Sequence, residues 1–332
     1  MKRPSDCPDG VRLFALAATA GLGGAVAEAL GWPLAAHEER GFEDGEHKAR
    51  PLENVADADC YVIQSLHGGP DESVDDKLCR LLFFIGALKD AGAARVTAVT
   101  PYLAYARKDR RTKPFDPVTT RYMAALFEAM GTDRLVTLEV HNPAAFENAF
   151  RRRAITLSGA PLFVTVARRF GGDPICVLSP DPGGVKRAEL FREALEADLG
   201  HAVGKAFADK HRSAGVVSGD LLVGDVAGAT VLVIDDLIST GGTLLRAARA
   251  ARAAGAVRVI ALTAHGLFMP GAAEALADPA LEAVVVTDAV PPFRLAGSTV
   301  LSKVEVLPCA SLFATAIRRL ATGEALTDLL VF

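Results

Sequence analysis

The spacing of apolar residues along the chain predicts helices that alternate with strands. Leucine and isoleucine between positions 78 and 88 recur every three or four residues, and residues 123–130 repeat this pattern of a helix with one buried face. Short apolar runs separate such helices, at 61–63, 96–99, 135–138, 175–178, 231–234, 259–262 and 284–286. Apolar runs that alternate with helices are typical of parallel sheets built from βαβ units. We therefore expect an α/β fold with mainly parallel sheets.

Part of this pattern is duplicated. Residues 81–100 and 244–263 match at one constant offset, and each copy reads as a helix, a glycine stop and a strand. The apolar strands upstream of the two copies also correspond, whereas the loops between them differ in length, as loops do when frameworks are kept. The chain has 332 residues, enough for about two domains. We expect tandem domains at 1–153 and 154–304, with a segment at 305–332 that can pack back on the first domain.

Composition and charge exclude several classes of protein. The net charge of −4 gives no basic excess that would favour nucleic acid or an anionic membrane surface. Half of the residues are apolar, but no charge-free stretch is long enough to span a bilayer. The five cysteines are odd in number and contain no Cys-x-x-Cys pair, so neither a disulfide framework nor a sulfur-rich zinc site is indicated. Reduced thiols fit a cytoplasmic protein best.

The most specific segment of the chain is residues 231–243. It reads as a buried strand, two carboxylates at Asp235 and Asp236, a turn rich in hydroxyls and glycine, and a helix. Backbone N–H groups at a helix N-terminus can bind a phosphate, and glycine allows its close approach. The phosphate-binding candidates are Ser239, Thr240, Gly241, Gly242 and Thr243. The two acids would hold sugar hydroxyls or a magnesium ion, and the plain alternative is a strand-to-helix turn with an acidic cap.

This segment resembles the phosphoribosyl diphosphate loop of type I phosphoribosyltransferases and of the ribose-phosphate diphosphokinase family. Further segments occur in the order typical of the diphosphokinases, at 41–46, 102–111, 140–141, 179–185 and 209–212. The resemblance implies two tandem phosphoribosyltransferase-like domains, the first on the ATP side and the second on the ribose 5-phosphate side. It also implies an enzyme that transfers the β,γ-diphosphoryl group of ATP to the 1-hydroxyl of ribose 5-phosphate, with Mg²⁺ as cofactor.

Within the resemblance, ATP is bound by two segments of the first domain. The residues concerned are Phe42, Asp44 and Glu46, which reach the adenine of ATP at a neighbouring subunit, and Arg107, Lys108 and Asp109. Guanidinium groups in a loop after a parallel strand suit phosphate oxygens. Without the family context, this basic run would read as a solvated charged surface. The family commonly has glutamine where Lys108 stands, so the contact at this position is in question.

The resemblance assigns the metal to His141 and Asp181, and the catalytic cations to Lys210 and Arg212. His141 follows Glu139 by two residues on a strand end, so we expect their side chains to face the same way. Lys210 and Arg212 lie in a polar segment, 208–215, that reads as a loop able to close over the diphosphoryl group.

Two other functions stay open from the sequence. A phosphoribosyltransferase that consumes phosphoribosyl diphosphate would share the 235–243 motif, and a non-catalytic regulatory relative would share the fold. The partners implied are ATP and ribose 5-phosphate, without nucleic acid or membrane, in a homo-oligomer that is built from dimers and reaches a hexamer in many family members.

Overall fold

The chain folds into two compact units. The first extends to Ser158 and includes Cys309–Val331, and the second is Gly159–Pro308. The computed structural model describes residues 7–213 and 216–331, and all of their side chains except those of 209–221. The first unit ends at Ser158, five residues after the boundary at residue 153 that the sequence suggested. The reason is that the strand beginning at Arg153 pairs with the sheet of the first unit.

The first unit contains a five-stranded parallel sheet in the order β1-β4-β5-β6-β7 and a separate two-stranded hairpin, β2-β3. Its elements along the chain are β1 (Val11–Ala15), α1 (Ala20–Leu30), β2 (His37–Gly41), β3 (His47–Pro51), β4 (Asp59–Ile63), α2 (Val74–Asp90), β5 (Arg95–Thr100), α3 (Thr119–Ala129), β6 (Arg134–Leu138), α4 (Pro143–Ala149) and β7 (Arg153–Leu157).

The second unit contains a seven-stranded sheet in the order β10-β9-β8-β11-β12-β13-β14, parallel except for the antiparallel pair β9 and β10. Its elements are α5 (Ala160–Ala167), β8 (Ile175–Ser179), α6 (Val185–Leu199), β9 (Gly204–Ser213), β10 (Val216–Val223), β11 (Thr230–Ile238), α7 (Gly242–Ala253), β12 (Arg258–Gly266), α8 (Ala272–Ala277), β13 (Ala283–Thr287) and β14 (Val304–Leu307).

Local sequence explains where these elements begin and end. Ser73 and Asp76 form a reciprocal capping box at the start of α2, and Gly92, with φ of +89°, follows its end. Central strands such as β6 and β8 are buried along their whole length, which accounts for their continuous apolar runs.

The last helix, α9 (Ala310–Thr322), belongs to the first unit. Its apolar side, with Phe313 and Ile317 fully buried, packs in the first unit, where the helix lies against α1. Arg318 Nη2 donates to the Leu30 carbonyl at 2.9 Å, which also supplies a cation to the C-terminal end of α1. The C-terminal segment therefore completes the core of the first unit.

The periodicity predictions are confirmed, because every apolar run named above lies in a strand and both helical patterns lie in α2 and α3. The duplicated segments are β4-α2-β5 and β11-α7-β12. The expected loop at 208–215 is wrong for residues 208–213, which belong to β9, and residues 214–215 lie outside the described residues. Buried Ala206 and Ala208 alternate with more exposed neighbours, a period of two that indicates a strand. In the described part of the chain, no helix has the length and apolar character to cross a membrane.

Candidate active site

Two adjacent carboxylates lie near the end of the central strand β11. Asp236 is 4% exposed and Asp235 is half-buried, and the Asp236 N–H donates to Asp235 Oδ1 at 2.9 Å. Burial raises the pKa of Asp235 well above its usual range, and the charge of Asp236 raises it further. The strand continues to Ile238, so both acids lie within β11 and precede the turn.

The turn at residues 239–241 leads directly into α7. Gly241 has φ of +77°, and a Cβ on it would lie 3.0 Å from the Cβ of Ala275, so this position favours glycine for two reasons. The Met269 N–H donates to the Ser239 carbonyl at 2.9 Å, which anchors the turn to the segment after β12. Thr240 is exposed, and Ser239, Gly242 and Thr243 are half-buried. The N-terminus of a twelve-residue helix is thus accessible to an anion.

Asp181 caps the turn that follows the neighbouring strand β8. Its Oδ1 accepts from the N–H groups of Gly183 and Gly184 at 2.9 and 3.1 Å, and Ser179 Oγ donates to its carbonyl at 2.6 Å. Oδ2 takes no part in these bonds. One oxygen of Asp181 therefore fixes the turn.

A residue that the sequence analysis missed, Arg187, lies beside the acid pair. It belongs to the first turn of α6, and its side chain is 15% exposed. Its Nη1 lies 3.7 Å from Asp235 Oδ1 and 3.6 Å from Asp236 Oδ1. The sequence signal was weak, since Arg187 is one basic residue in a helix that also contains Lys186 and Arg192.

In the first unit, the segment after β5 is organised around Asp116. Its Oδ2 accepts from Lys108 Nζ, from the Thr112 N–H and hydroxyl at 2.9 and 2.8 Å, and from the Lys113 N–H at 2.9 Å. The bond from Lys108 and those from Thr112 hold the pKa of Asp116 well below its usual range. Lys108 thus contributes its charge to the internal structure of the segment, whereas Arg107 is exposed.

The same segment meets the one that contains His141. Asp109 Oδ2 accepts from Asn142 Nδ2 at 2.6 Å, and Asn142 Oδ1 caps α4 by accepting from the Ala145 N–H at 3.1 Å. Asp109 and His141 are thereby brought to adjoining segments. The expectation that Glu139 and His141 share one face of a strand is wrong: β6 ends at Leu138, Glu139 has φ of +37° and is buried, and His141 is exposed.

Phe42, Asp44 and Glu46 lie in the turn between β2 and β3, and all three are exposed. The Phe42 N–H donates to the Glu46 carbonyl at 2.7 Å, and the Glu46 N–H donates to Asp44 Oδ1 at 3.0 Å. The guanidinium of Arg40 lies 5.2 Å from the centre of the Phe42 ring. The turn is a preformed structure that presents an aromatic ring and two carboxylates to solvent.

Lys210 and Arg212 occupy β9, opposite Asp220 and Val217 of β10, and their side chains lie outside the described residues. The two candidate metal ligands fall in different units, His141 in the first and Asp181 in the second. Among the side chains that the structure describes, those of residues 7–208 and 222–331, no group of three or more His, Cys, Asp or Glu could by itself hold a metal ion.

Comparison with known proteins gives one consistent result. A family model described as the N-terminal domain of ribose phosphate pyrophosphokinase matches residues 11–131, and one described as the phosphoribosyl synthetase-associated domain matches residues 218–331. The chain is 38% identical to a ribose-phosphate pyrophosphokinase of Caldanaerobacter subterraneus over 92% of each chain, and 35% identical to one of Hyphomonas neptunium over 96% of this chain and 99% of the relative. A crystal structure of phosphoribosylpyrophosphate synthetase from Mycobacterium smegmatis is similar, with a TM-score of 0.84, 31% identity, and coverage of 95% of this chain and 100% of that chain.

Proposed function

Because the chain belongs to the ribose-phosphate pyrophosphokinase family, we propose that it transfers the β,γ-diphosphoryl group of ATP to the 1-hydroxyl of ribose 5-phosphate. The products are 5-phosphoribosyl 1-diphosphate, a precursor in nucleotide biosynthesis, and AMP. The observation that carries the assignment is the sequence of acid pair, glycine turn and open helix N-terminus at residues 235–243.

Ribose 5-phosphate binds along this segment. Its phosphate accepts from the N–H groups of residues 239–243 and from the hydroxyls of Ser239, Thr240 and Thr243, helped by the partial positive charge of the helix end. Its ring hydroxyls donate to Asp235 and Asp236. Because the two acids come before the turn in the chain, the sugar ring lies beside the end of β11 and its phosphate lies at the turn that follows.

ATP binds through residues of the first unit. The Phe42 ring stacks on the adenine of an ATP molecule at a neighbouring subunit, and Asp44 and Glu46 accept from its amino group. Arg107 supplies a guanidinium to the triphosphate. Lys108 shapes the segment through Asp116, and Asp109 is held by Asn142 beside His141. The exposed turn of the β2-β3 hairpin suits a site completed between subunits, so we expect a homo-oligomer of at least two chains, and a hexamer is consistent with the same contacts.

The residues fit a divalent cation of the hard, oxygen-preferring kind, and we propose Mg²⁺. In the second unit Asp181 offers Oδ2 to such an ion, and in the first unit His141, an exposed residue, separately offers an imidazole. So few protein ligands agree with an ion that keeps water and takes phosphate oxygens as further ligands. When bound, Mg²⁺ neutralises negative charge on the diphosphoryl group.

The reaction is an in-line displacement at the β-phosphorus. The 1-hydroxyl oxygen forms the new P–O bond and loses its proton to water. The bond from the β-phosphorus to the oxygen that bridges to the α-phosphate breaks, and that oxygen leaves with AMP. Lys210 and Arg212 hold the charge that develops on the transferred group. No cysteine nucleophile is needed, and burial raises the pKa of Cys60 and of Cys176 to about 11, which keeps both as thiols. The unpaired cysteines also fit a cytoplasmic location.

The direct test is release of AMP by the purified chain. We expect AMP to appear only when ATP, ribose 5-phosphate and Mg²⁺ are all present, with formation of 5-phosphoribosyl 1-diphosphate in equal amount. A chain that instead consumes phosphoribosyl diphosphate and a nucleobase would be a phosphoribosyltransferase. A chain that binds nucleotide without turnover would be a regulatory relative. Either result overturns the proposal.

Replacement of Asp236 by asparagine tests the sugar site. Removing the charge of one acceptor weakens a charge-assisted hydrogen bond by about 1.5–3 kcal/mol, so we expect the KM for ribose 5-phosphate to rise about 10- to 100-fold. The KM for ATP should change little. Asp225→Asn is the matched control, because Asp225 is an exposed loop acid of the same unit that caps the Ala227 N–H at 3.0 Å. An unchanged KM for ribose 5-phosphate in Asp236→Asn would remove this residue from the site.

A further inference from the structure

The acid pair of β11 poses an electrostatic problem. Asp235 and Asp236 are neighbours in sequence, and both are at least half-buried in the end of a central strand. Two carboxylates so placed repel each other, and burial penalises the ionised form of each. As acceptors for sugar hydroxyls they are strongest when ionised. The site therefore requires a nearby positive charge before the sugar arrives.

Arg187 provides such a charge from a different element. It extends from the first turn of α6, and its Nη1 is nearly equidistant from the two acids, at 3.7 and 3.6 Å. The side chain is 15% exposed, so water screens the attraction less than at the surface. A partly buried guanidinium also stays protonated, whereas a buried ammonium group loses its proton more readily.

The distances matter as much as the charge. Both exceed the range of a good N–H···O hydrogen bond, so the attraction is mainly through space. On the same helix, Arg192 shows the contrasting arrangement, with Nη2 at 2.8 Å from Glu189 Oε1. A pair as tight as that one would occupy the carboxylate oxygen. Arg187 instead compensates the charge from a longer distance and forms no short bond to Oδ1 of either acid, although Asp235 Oδ1 accepts from the Asp236 N–H.

We propose that Arg187 is a positioning residue for ribose 5-phosphate, which offsets part of the negative charge of Asp235 and Asp236 and so favours the ionised acceptor pair that the ring hydroxyls require. The inference rests on the proposed function of this site, and it adds a residue from α6 that acts through the acids. It predicts that the loss of Arg187 weakens the binding of ribose 5-phosphate more than it weakens the binding of ATP or lowers the stability of the fold.

The experiment compares Arg187→Gln and Arg187→Lys with Arg192→Gln as the matched control. We expect Arg187→Gln to raise the KM for ribose 5-phosphate about tenfold, the size of a moderate coupling between neighbouring groups. The KM for ATP should stay within about twofold of wild type, since ATP contacts are proposed elsewhere. Arg187→Lys keeps the charge and should recover part of the lost affinity. Arg192→Gln, which removes a cation from the same helix away from the acid pair, should behave like wild type.

A second set of variants separates charge compensation from a purely structural role. In Asp235→Asn one of the two negative charges is gone, so Arg187 has less to compensate. We expect Arg187→Gln to raise the KM for ribose 5-phosphate by a clearly smaller factor in the Asp235→Asn background than in wild type. The effects of the two substitutions would then be coupled and not additive. Equal costs in the two backgrounds would overturn the inference. So would an unchanged KM for ribose 5-phosphate in Arg187→Gln.

Calorimetric titration of ribose 5-phosphate into the wild-type chain and each variant distinguishes a failure of the role of Arg187 from a failure of the proposed function. If wild type binds the sugar phosphate and releases AMP but Arg187→Gln matches it, the role of Arg187 is refuted and the function stands. If wild type neither binds the sugar phosphate nor releases AMP, the proposed function itself fails. If Arg187→Gln does not fold, a second neutral variant, Arg187→Met, decides, and wild-type affinity for ribose 5-phosphate in that variant would overturn the inference.

Discussion

Replacing Lys210 by alanine is expected to abolish most turnover while leaving the chain folded. The ammonium group would stabilise charge that develops on the diphosphoryl group only in the transition state, and the loss of one such donor typically lowers kcat about 10²- to 10³-fold. The KM values for both substrates should change much less, because ground-state contacts lie elsewhere. AMP release under saturating ATP and ribose 5-phosphate gives kcat, and the Tm shows whether the fold is kept.

Lys205 supplies the matched control for this experiment. It lies on the same strand, β9, but its side chain is 72% exposed and pairs with Glu189 at 3.6 Å. Lys205→Ala removes a cation from the same hairpin without touching the proposed chemistry, so kcat should remain at the wild-type level. If Lys210→Ala also kept a near-normal kcat, the catalytic role of Lys210 would be refuted.

The strands and helices could be predicted because burial imposes a period on the sequence. The stripe between positions 78 and 88 lies on the buried side of α2, and the apolar runs are strands covered on both faces. The strand assignment failed at residues 208–213, where polar and charged side chains concealed the period of two. There β9 is completed by antiparallel pairing with β10, the next strand along the chain, as in the pair Ser213 and Val216, so the hairpin and not the side-chain pattern extends the strand.

The duplicated framework carries the acid pair of the proposed sugar site in the second unit and other residues at the same place in the first. Gln64 and Ser65 stand after β4, where the second unit has Asp235 and Asp236 in β11. Both are buried, and they serve the core: Thr19 Oγ1 donates to Gln64 Oε1 at 3.1 Å, and the Tyr102 N–H donates to Ser65 Oγ at 3.2 Å. The same place in the framework is structural in one unit and available to a ligand in the other.

Several features of the candidate site could not be predicted, since they arise from contacts between distant segments. The bond from Lys108 to Asp116 and the approach of Arg187 to the acid pair both depend on how loops and helices close. The strained backbone of Glu139, with φ of +37°, likewise has no sequence signature, because left-handed backbone at such a residue is held by its surroundings. Motifs in the sequence indicated the candidate ligand-binding segments, whereas the approach of Arg187 to the acid pair was visible only in the structure.

Arg134→Met is expected to destabilise the first unit by about 3 kcal/mol, the lower end of the cost of breaking a buried ion pair. Arg134 is 7% exposed and donates to Asp59 Oδ1 at 2.9 Å, to Thr97 Oγ1 at 2.8 Å, to the Tyr61 hydroxyl at 2.9 Å and to the Leu320 carbonyl at 3.4 Å. The variant keeps an apolar stem but removes all of these hydrogen bonds. The cost stays at the lower end because Asp59 retains a second arginine.

The second arginine, Arg95, is the matched control, because it pairs with the same carboxylate from an exposed position. It donates to the same Asp59 at 2.6 Å, but its side chain is 47% exposed, so Arg95→Met should cost only about 0–1 kcal/mol. The single tryptophan, Trp32, is buried in the first unit, so its fluorescence during urea unfolding reports on that unit. Asp59, Arg95 and Arg134 are each the first residue of a strand, whereas the segment that we propose binds the triphosphate follows the other end of β5, so kcat should be unchanged in both variants. Equal stability losses for the two variants would mean that burial does not set the strength of this network.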